Sequence, residues 1–466
     1  MKKLLLTVAS LATVLVSSHA QFKMYGMTSS GGANGLGVVF SITPGGAFTK
    51  VADMNPTYAA APYGSLLFAS DNNFYGMSFE GGYNDSCTMF QCTPAGALTT
   101  EINMDTVWGS SSPVASLIQA NDGNLYGMTN LGGDSSNGVI FQYVIATHKY
   151  KAIYNFGYSD GGNPYGDLVQ ASDGFLYGMT FYGGIKGVGT IFKCSLSGVF
   201  TKLFDFDSTS GYSPLGSLIQ ATDGYLYGMT QGGGANNSGT IFKCSTAGAF
   251  TKIYDFTKAG GDAPTGSLIQ ATDGYLYGMT DSGGASNLGV IFRCSTSGVF
   301  TKLLDFNAAN GSYPEGSLTQ GSDGLLYGMT TFGGSDSAGT VFKCTTGGSL
   351  TTLFNFDNTN GANPLYGRVI EVTDMVLNTN NISSQQPAIY PNPSNGDFFV
   401  QLPQNTGGTN FMEIYNELGE RVYSNSLAVN STIQRINMGS PAKGVYLYRI
   451  LAENGNILGT GKLLVQ

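Results

Sequence analysis

The chain has 466 residues, 68 of them glycine, and a formal net charge of −9. Charged residues make up 11% of it, less than half the share of about 25% in an ordinary soluble domain. With 42% hydrophobic and 12% aromatic residues and no Gly-X-Y period, the glycine excess excludes disorder and collagen, and the sparse Lys and Arg argue against nucleic acid or an anionic membrane as partner.

Residues 1–20 have the anatomy of a secretory signal: Lys2 and Lys3, an apolar run from Leu4 to Val16, then Ser-His-Ala before Gln21. The run is shorter than the about 20 residues a spanning helix needs, and no later stretch reads as a transmembrane segment. Loss of the two lysines takes the net charge from −9 to −11.

From residue 21 to residue 373 one unit recurs. Tyr-Gly-Met begins at Tyr25, Tyr75, Tyr126, Tyr177, Tyr227, Tyr277 and Tyr327, at spacings of 50 or 51, and a Gly-Gly pair starts six residues after each tyrosine. The fullest copy, Gly216 to Phe256, divides into four apolar runs, with an Asp-Gly turn between the first two that accepts positive φ at both central positions. No sustained 3.6-residue period occurs, so all four runs are predicted strands. A single such sheet cannot cover its own faces and must stack on copies of itself.

The ends of the array choose between an open solenoid and a closed ring. The first copy starts directly in its second strand, Phe22 to Thr28, and an extra first strand, Leu365 to Val372, follows the seventh copy. That permutation hides both terminal edges in a ring, so the expected fold is all-β: a seven-bladed β-propeller of four-stranded blades closed by both chain ends. With the run at Leu218 innermost and that at Ile253 outermost, the long strand-two-to-three loops and the Pro-containing links share one face. Starting each blade at the third strand keeps those faces and changes the strand lining the channel.

A polar linker, 374–387, precedes a segment, 388–466, whose alternating runs and turns at Asn395-Gly396, Leu418-Gly419 and Asn454-Gly455 predict a small Ig-like β-sandwich. Its five Lys/Arg and five Asp/Glu cancel, so the acidic excess belongs to the repeats.

Residues 388–466 resemble the type A C-terminal sorting domain of the type IX secretion system. The likeness rests on Tyr390-Pro391-Asn392-Pro393 with Gly396, on Ile414-Tyr-Asn-Glu-Leu-Gly419, on Gly444-Val-Tyr446-Leu-Tyr-Arg, and on Lys462-Leu-Leu-Val-Gln. It implies a Gram-negative bacterium of the Bacteroidetes group, passage through the periplasm, and the translocon and cell-surface sortase of that system as partners. Residues 22–372 resemble the GloVer tandem repeats of secreted bacterial proteins through Tyr-Gly-Met-Thr and the double glycine; that family carries no established activity.

Chemistry is thinly signalled. Asp173, Asp223, Asp273 and Asp323 are read as turn formers rather than calcium ligands, since an EF-hand-like loop needs several oxygen donors. Asp205, Asp255 and Asp305, with Asn155 and Asn355 at equivalent sites, are read as loop braces, because acid and amide interchange where only an acceptor is required. Cys87, Cys92, Cys194, Cys244, Cys294 and Cys344 are even in number, but equivalent positions on separate blades lie too far apart to pair, so buried thiols are expected. His148, the one histidine left after the signal, is read as a solvated loop residue. Neither a metal, a cofactor nor a catalytic constellation is expected. Glu80, Asp85, Asp134 and Glu315 break the sevenfold pattern and are the candidates if two carboxylates do hydrolyse a glycan.

The variable loops on the long-loop face carry Phe79, Tyr83, Trp108, Phe181, Tyr182, Tyr212, Tyr313 and Phe332, aromatic side chains suited to stack on sugar rings. The function expected from sequence is therefore a secreted or surface-attached, non-catalytic binding module for a polysaccharide or a surface protein. The alternative is a polysaccharide-active hydrolase or lyase with an acidic site on that face.

Overall fold

The computed structural model describes residues 22–82, 87–104 and 115–373, and in the C-terminal region 388–390, 392, 394–401, 410–416, 420–427, 433–439, 441–451 and 457–465. The secretory signal at 1–20, the linker at 374–387 and the turns at 418–419 and 454–455 lie outside the described residues. Residues up to 374 and residues from 375 onward form two separate compact units.

The first unit is all-β and propeller-like. Its described residues form seven four-stranded antiparallel sheets, six of them built from consecutive strands. The seventh is sewn from both ends: Ile370–Thr373 pairs antiparallel with Phe22–Thr28, which is followed by Val38–Ile42 and Phe48–Asp53. A typical consecutive sheet runs Ile219–Gln220, Leu226–Thr230, Thr240–Cys244, Phe250–Asp255.

The second strands (Leu-Tyr-Gly-Met-Thr) are buried at every position, which is why they read as continuous apolar runs rather than alternating ones. The glycine inside them makes room for an aromatic ring. Gly228 lies opposite Phe242, and a Cβ there would sit 2.6 Å from the Phe242 ring. Each fourth strand then shifts register by one residue, as between Ile241 and Phe242, so a bulge adds twist at the same point of each repeat.

The Asp-Gly turns differ from expectation. In the Thr222-Asp223-Gly224 loop only the glycine has positive φ, +83°, while Gly224 N donates to Ala221 O and Ala221 N to Tyr225 O. This is a three-residue loop, a type I turn completed by a left-handed glycine, not a two-residue type I′ turn. Asp223 caps it, one carboxylate oxygen accepting from Tyr225 N at 3.1 Å and the other from the Tyr227 hydroxyl at 2.7 Å. The same pairing joins Asp71 to Tyr75, Asp122 to Tyr126, Asp173 to Tyr177, Asp273 to Tyr277 and Asp323 to Tyr327.

The core lies between sheets. Each apolar cluster joins two neighbouring repeats, for instance Tyr227, Met229 and Ile241 with Leu276, Val290 and Phe292. The last repeat packs on the first in the same way, through Tyr327, Met329 and Val341 against Met24, Val38 and Phe40. Phe354 stacks on Phe48 at 3.9 Å, matching Phe204 on Phe250 at 4.0 Å.

The second unit holds a three-stranded sheet (Ala388–Tyr390, Asp397–Gln401, Ile433–Asn437) and a four-stranded one (Arg421–Leu427, Asn410–Tyr415, Gly444–Leu451, Ile457–Val465). Phe398, Val400, Met412, Ile414, Ile450 and Leu463 fill one core. Asn392 clamps the terminal strand: its amide donates to Lys462 O at 2.7 Å and its carbonyl accepts from Leu464 N at 2.8 Å. Gly396 has φ +93° with Pro441 packed where a Cβ would be, and the buried Tyr446 donates its hydroxyl to Ala442 O. Pro391, Pro393 and Gly419 lie outside the described residues.

Candidate functional site

The first strands are innermost, because their backbones meet from one repeat to the next. A Cβ on Gly166, Gly216, Gly266 or Gly316 would strike the carbonyl of the corresponding glycine in the following repeat. The residue after that glycine carries a circuit of hydrogen bonds. Arg368 N donates to Ser65 Oγ (2.9 Å), Ser65 N to Ser116 Oγ (2.8 Å), Ser116 N to Asp167 Oδ1 (2.5 Å) and Asp167 N to Ser217 Oγ (2.7 Å). Ser217 N then donates to Ser267 Oγ, Ser267 N to Ser317 Oγ (both 2.8 Å), and Ser317 N to Gly367 O (3.4 Å), one residue from where the circuit began. A pocket of about 20 Å³, room for about one water, lies among these residues and Tyr165, Leu215, Thr265 and Tyr366.

Two positions just above the belt do not repeat. One is the residue between Pro and Gly in six of the seven links: Tyr63, Tyr165, Leu215, Thr265, Glu315 and, with one extra residue, Leu365-Tyr366. The other follows each second strand: Ser29, Phe79, Asn130, Phe181, Gln231, Asp281 and Thr331. The two sets touch. Tyr63 packs edge-on to Phe79 (5.4 Å) and Tyr366 (6.2 Å), and Tyr165 lies 5.0 Å from Phe181. Thr331 Oγ1 lies 3.2 Å from Glu315 Oε2 and 3.0 Å from Pro364 O, with its proton to give to either.

Electrostatics tie these residues into one neighbourhood. Burial, then the nearby Asp281 carboxylate, push Glu315 up to about 7. Burial, then Asp262, push Asp281 up to about 6, and Asp281 Oδ1, shielded from solvent, has no hydrogen-bond partner among the described residues. Burial followed by Glu315 and Asp281 raises the Tyr366 hydroxyl to about 12, and burial followed by Glu80 and Glu315 raises Tyr63. Tyr366 also stands at φ +55°, a left-handed conformation costly for an aromatic residue. Positive φ at Ala61, Asn163, Ser213, Ala263, Tyr313 and Asn363, each before a proline, recurs with the fold; that of Tyr366 has no counterpart among the described residues of the other repeats.

Of the aromatic candidates from sequence, Phe79 and Phe181 stand at this mouth, and Tyr182 packs edge-on to Phe181 at 4.5 Å while remaining 46% exposed. Tyr313 and Phe332 form a separate pair, 6.0 Å apart. The Tyr212 ring covers Gly232 and its hydroxyl donates to Asn237 Oδ1 at 2.7 Å, so it packs on its own loop. Tyr83 and Trp108 lie outside the described residues, as does Asp85. Asp134 is exposed on its loop, whereas Glu80 is half-buried beside Tyr63. Sequence reasoning missed Tyr63, Tyr165, Tyr366 and Asp281; their signal was variation, or an inserted residue, at fixed positions of an otherwise repeating unit.

The remaining polar residues hold structure. Asp53, Asp205, Asp255 and Asp305 each accept from a backbone N–H just past a Gly-Gly pair at 2.7–2.9 Å, and Asn155 and Asn355 do so at 3.3 and 3.4 Å. His148, in a left-handed turn, is exposed but not merely solvated: Nδ1 lies 2.8 Å from both Glu101 Oε2 and the Tyr143 hydroxyl. All six cysteines are buried, and burial pushes Cys92, Cys194 and Cys294 up to about 12. Among the described residues no three His, Cys, Asp or Glu side chains converge to hold a metal, and no helix is long and apolar enough to cross a membrane.

Comparison with known proteins completes the picture. A sequence model of the Gloeobacter/Verrucomicrobia repeat matches residues 14–222 and 213–385, and one of the secretion system C-terminal sorting domain matches residues 388–466. No curated protein matches the sequence. A putative 6-phosphogluconolactonase from Bacteroides fragilis superposes with a TM-score of 0.51 at 16% identity, over 76% of this chain and 99% of that one. The periplasmic gluconolactonase of Pseudomonas aeruginosa gives 0.50 at 16% identity over the same shares. At such identity the likeness is one of fold alone. PorZ, a surface component of the type IX secretion system of Porphyromonas gingivalis, gives 0.40 at 14% identity over 96% of this chain, which spans 58% of the PorZ chain.

Proposed function

The chain belongs to the Gloeobacter/Verrucomicrobia repeat family and ends in a type IX sorting domain, and from that premise we propose that it is an exported surface propeller that binds a polysaccharide without turning it over. The sorting domain implies handling by the type IX secretion system and a secreted or cell-surface location. The finer route is part of the proposal: a signal at 1–20, passage through the periplasm of a Bacteroidetes bacterium, and release of the 388–466 tail by the sortase. The architecture is read in the same spirit. Seven blades close into a ring at the Ile370–Thr373 to Phe22–Thr28 pairing, and the tail's two sheets form an Ig-like sandwich.

One observation carries the binding reading: the non-repeating residues gather at one mouth, an aromatic wall of Tyr63, Phe79, Tyr165, Phe181 and Tyr366 beside the carboxyls of Glu315 and Asp281. Rings flanked by hydrogen-bonding groups suit sugar faces and hydroxyls. Those two carboxyls, raised toward neutrality, also favour a second reading as a hydrolase, in which one gives a proton while the other stays ionised. A glycan-array screen of the full chain followed by product analysis separates the two. Retention of an intact glycan, lost in Tyr366→Ala, supports the binding module. Shortened products lost in Glu315→Gln support the hydrolase, and glycan binding indifferent to both substitutions would sink the mouth as the site.

A further inference from the structure

Resting on that reading of the mouth, we infer that its ligand carries a protonated primary amine, which seats between Glu315 and Asp281 under the tyrosines.

The first reason is charge. The Asp281 carboxylate places negative charge beside Glu315, and Asp262 does the same beside Asp281. Among the described residues neither Asp281 nor Glu315 forms an ion pair, and Glu315 Oε2 accepts from the Thr331 hydroxyl. Arg368 lines one small pocket with Asp167, Tyr165 and Tyr366, a pocket that neither Glu315 nor Asp281 lines. Two partly buried carboxyls without a cation are a standing electrostatic cost, and an ammonium group is what relieves it. A neutral sugar hydroxyl would leave that cost in place, and an anion would deepen it.

The second reason is the wall. Tyr63 and Tyr366 lie 6.2 Å apart, and Tyr366 senses Glu315, Asp281 and Tyr165. Aromatic faces carry negative potential, so rings grouped beside carboxyls favour a cation. For the rest of the ligand there is an independent acceptor in the same ring of positions: Asn130, 6% exposed, holds its Oδ1 without a partner among the described residues.

Amines of this kind come from an amino sugar or a lysine side chain, and the test distinguishes them. Isothermal titration of the full chain uses a chitosan trimer, the N-acetylated chitin trimer of the same backbone, and a trilysine peptide. The expected result is that the chitosan trimer binds at least ten-fold more tightly than the chitin trimer, and that Glu315→Gln and Asp281→Asn each remove most of that preference while melting no lower than the parent chain. Tighter binding of trilysine than of the chitosan trimer keeps the amine and assigns it to a peptide. Equal binding of the chitosan and chitin trimers, lost together in Tyr366→Ala, overturns the amine inference and leaves the mouth as a glycan site. Failure of all three probes, with glycans from the array still bound and still sensitive to Tyr366→Ala, also overturns it. Should one carboxyl variant fail to fold, the other and Tyr366→Phe carry the comparison.

Discussion

Glu315 and Gly316 are joined by one peptide bond and live under opposite constraints. At the glycine, the neighbouring repeat's backbone occupies the space of a side chain, and six of the seven equivalent positions are glycine: 64, 166, 216, 266, 316 and 367, with Ala115 the exception. One residue earlier the chain carries, in different repeats, three tyrosines, a valine, a leucine, a threonine and a glutamate. Close packing around the axis fixes the first position. The second faces the mouth and is left to chemistry, so ring and site are separable at the resolution of a single residue.

The largest expected effect concerns the ring itself. Deleting Asn363–Val372 removes Gly367, the Arg368 to Ser65 bond and most of the strand paired with Phe22–Thr28, and should cost more than about 5 kcal/mol in thermal melts; a parent-like melt would break the closed-ring account. Next comes the pair at the junction. Gly316→Val drives a side chain into Gly367 O, backbone against backbone, and should cost about 3 kcal/mol or more, whereas Glu315→Val should stay within about 1 kcal/mol of the parent. Equal losses would erase the distinction between the two positions.

A smaller effect tests the braces. Where the Gly-Gly loop is held by Asp, a lysine stands three residues earlier and pairs with it, as Lys252 does with Asp255 at 2.8 Å. Where it is held by Asn155 or Asn355, that place is Ala152 or Thr352. A double-mutant cycle of Lys252→Thr and Asp255→Asn should therefore show coupling of about 0.5 kcal/mol, each single change costing more than its share of the pair. Strict additivity would mean the pairing is incidental.

Much of the scaffold was legible in the sequence for physical reasons. A buried strand repeats its apolar run, a missing first strand at one end and a spare at the other leave sheet pairing as the economical solution, and Asp-for-Asn exchange marks an acceptor. The turn geometry was misread because Asp-Gly serves both two- and three-residue loops, and only the bonds at Ala221 and Tyr225 decide. The mouth was harder. Tyr63 and Tyr366 are about 300 residues apart in the chain and touch only because the last inner strand returns beside the early repeats. Asp281 was passed over in the sequence and gains meaning only from its place beside Glu315. Tyr212, by contrast, looked free in sequence and covers Gly232.

The central claim is that the mouth carboxyls serve a ligand and not the fold, and Glu315 tests it most directly. Its pKa rises from an ordinary 4.5 to about 7 on folding, so between these values the folded chain holds more protons than the unfolded one, and stability falls as pH rises through that window. Glutamine cannot ionise and escapes the fall. In melts of the unliganded full chain, Glu315→Gln should be more stable than the parent at pH 8 by about 1 kcal/mol, a rise of about 2 °C, with the gap closing at pH 5. A variant that melts below the parent at pH 8 would make Glu315 a structural residue and contradict the claim.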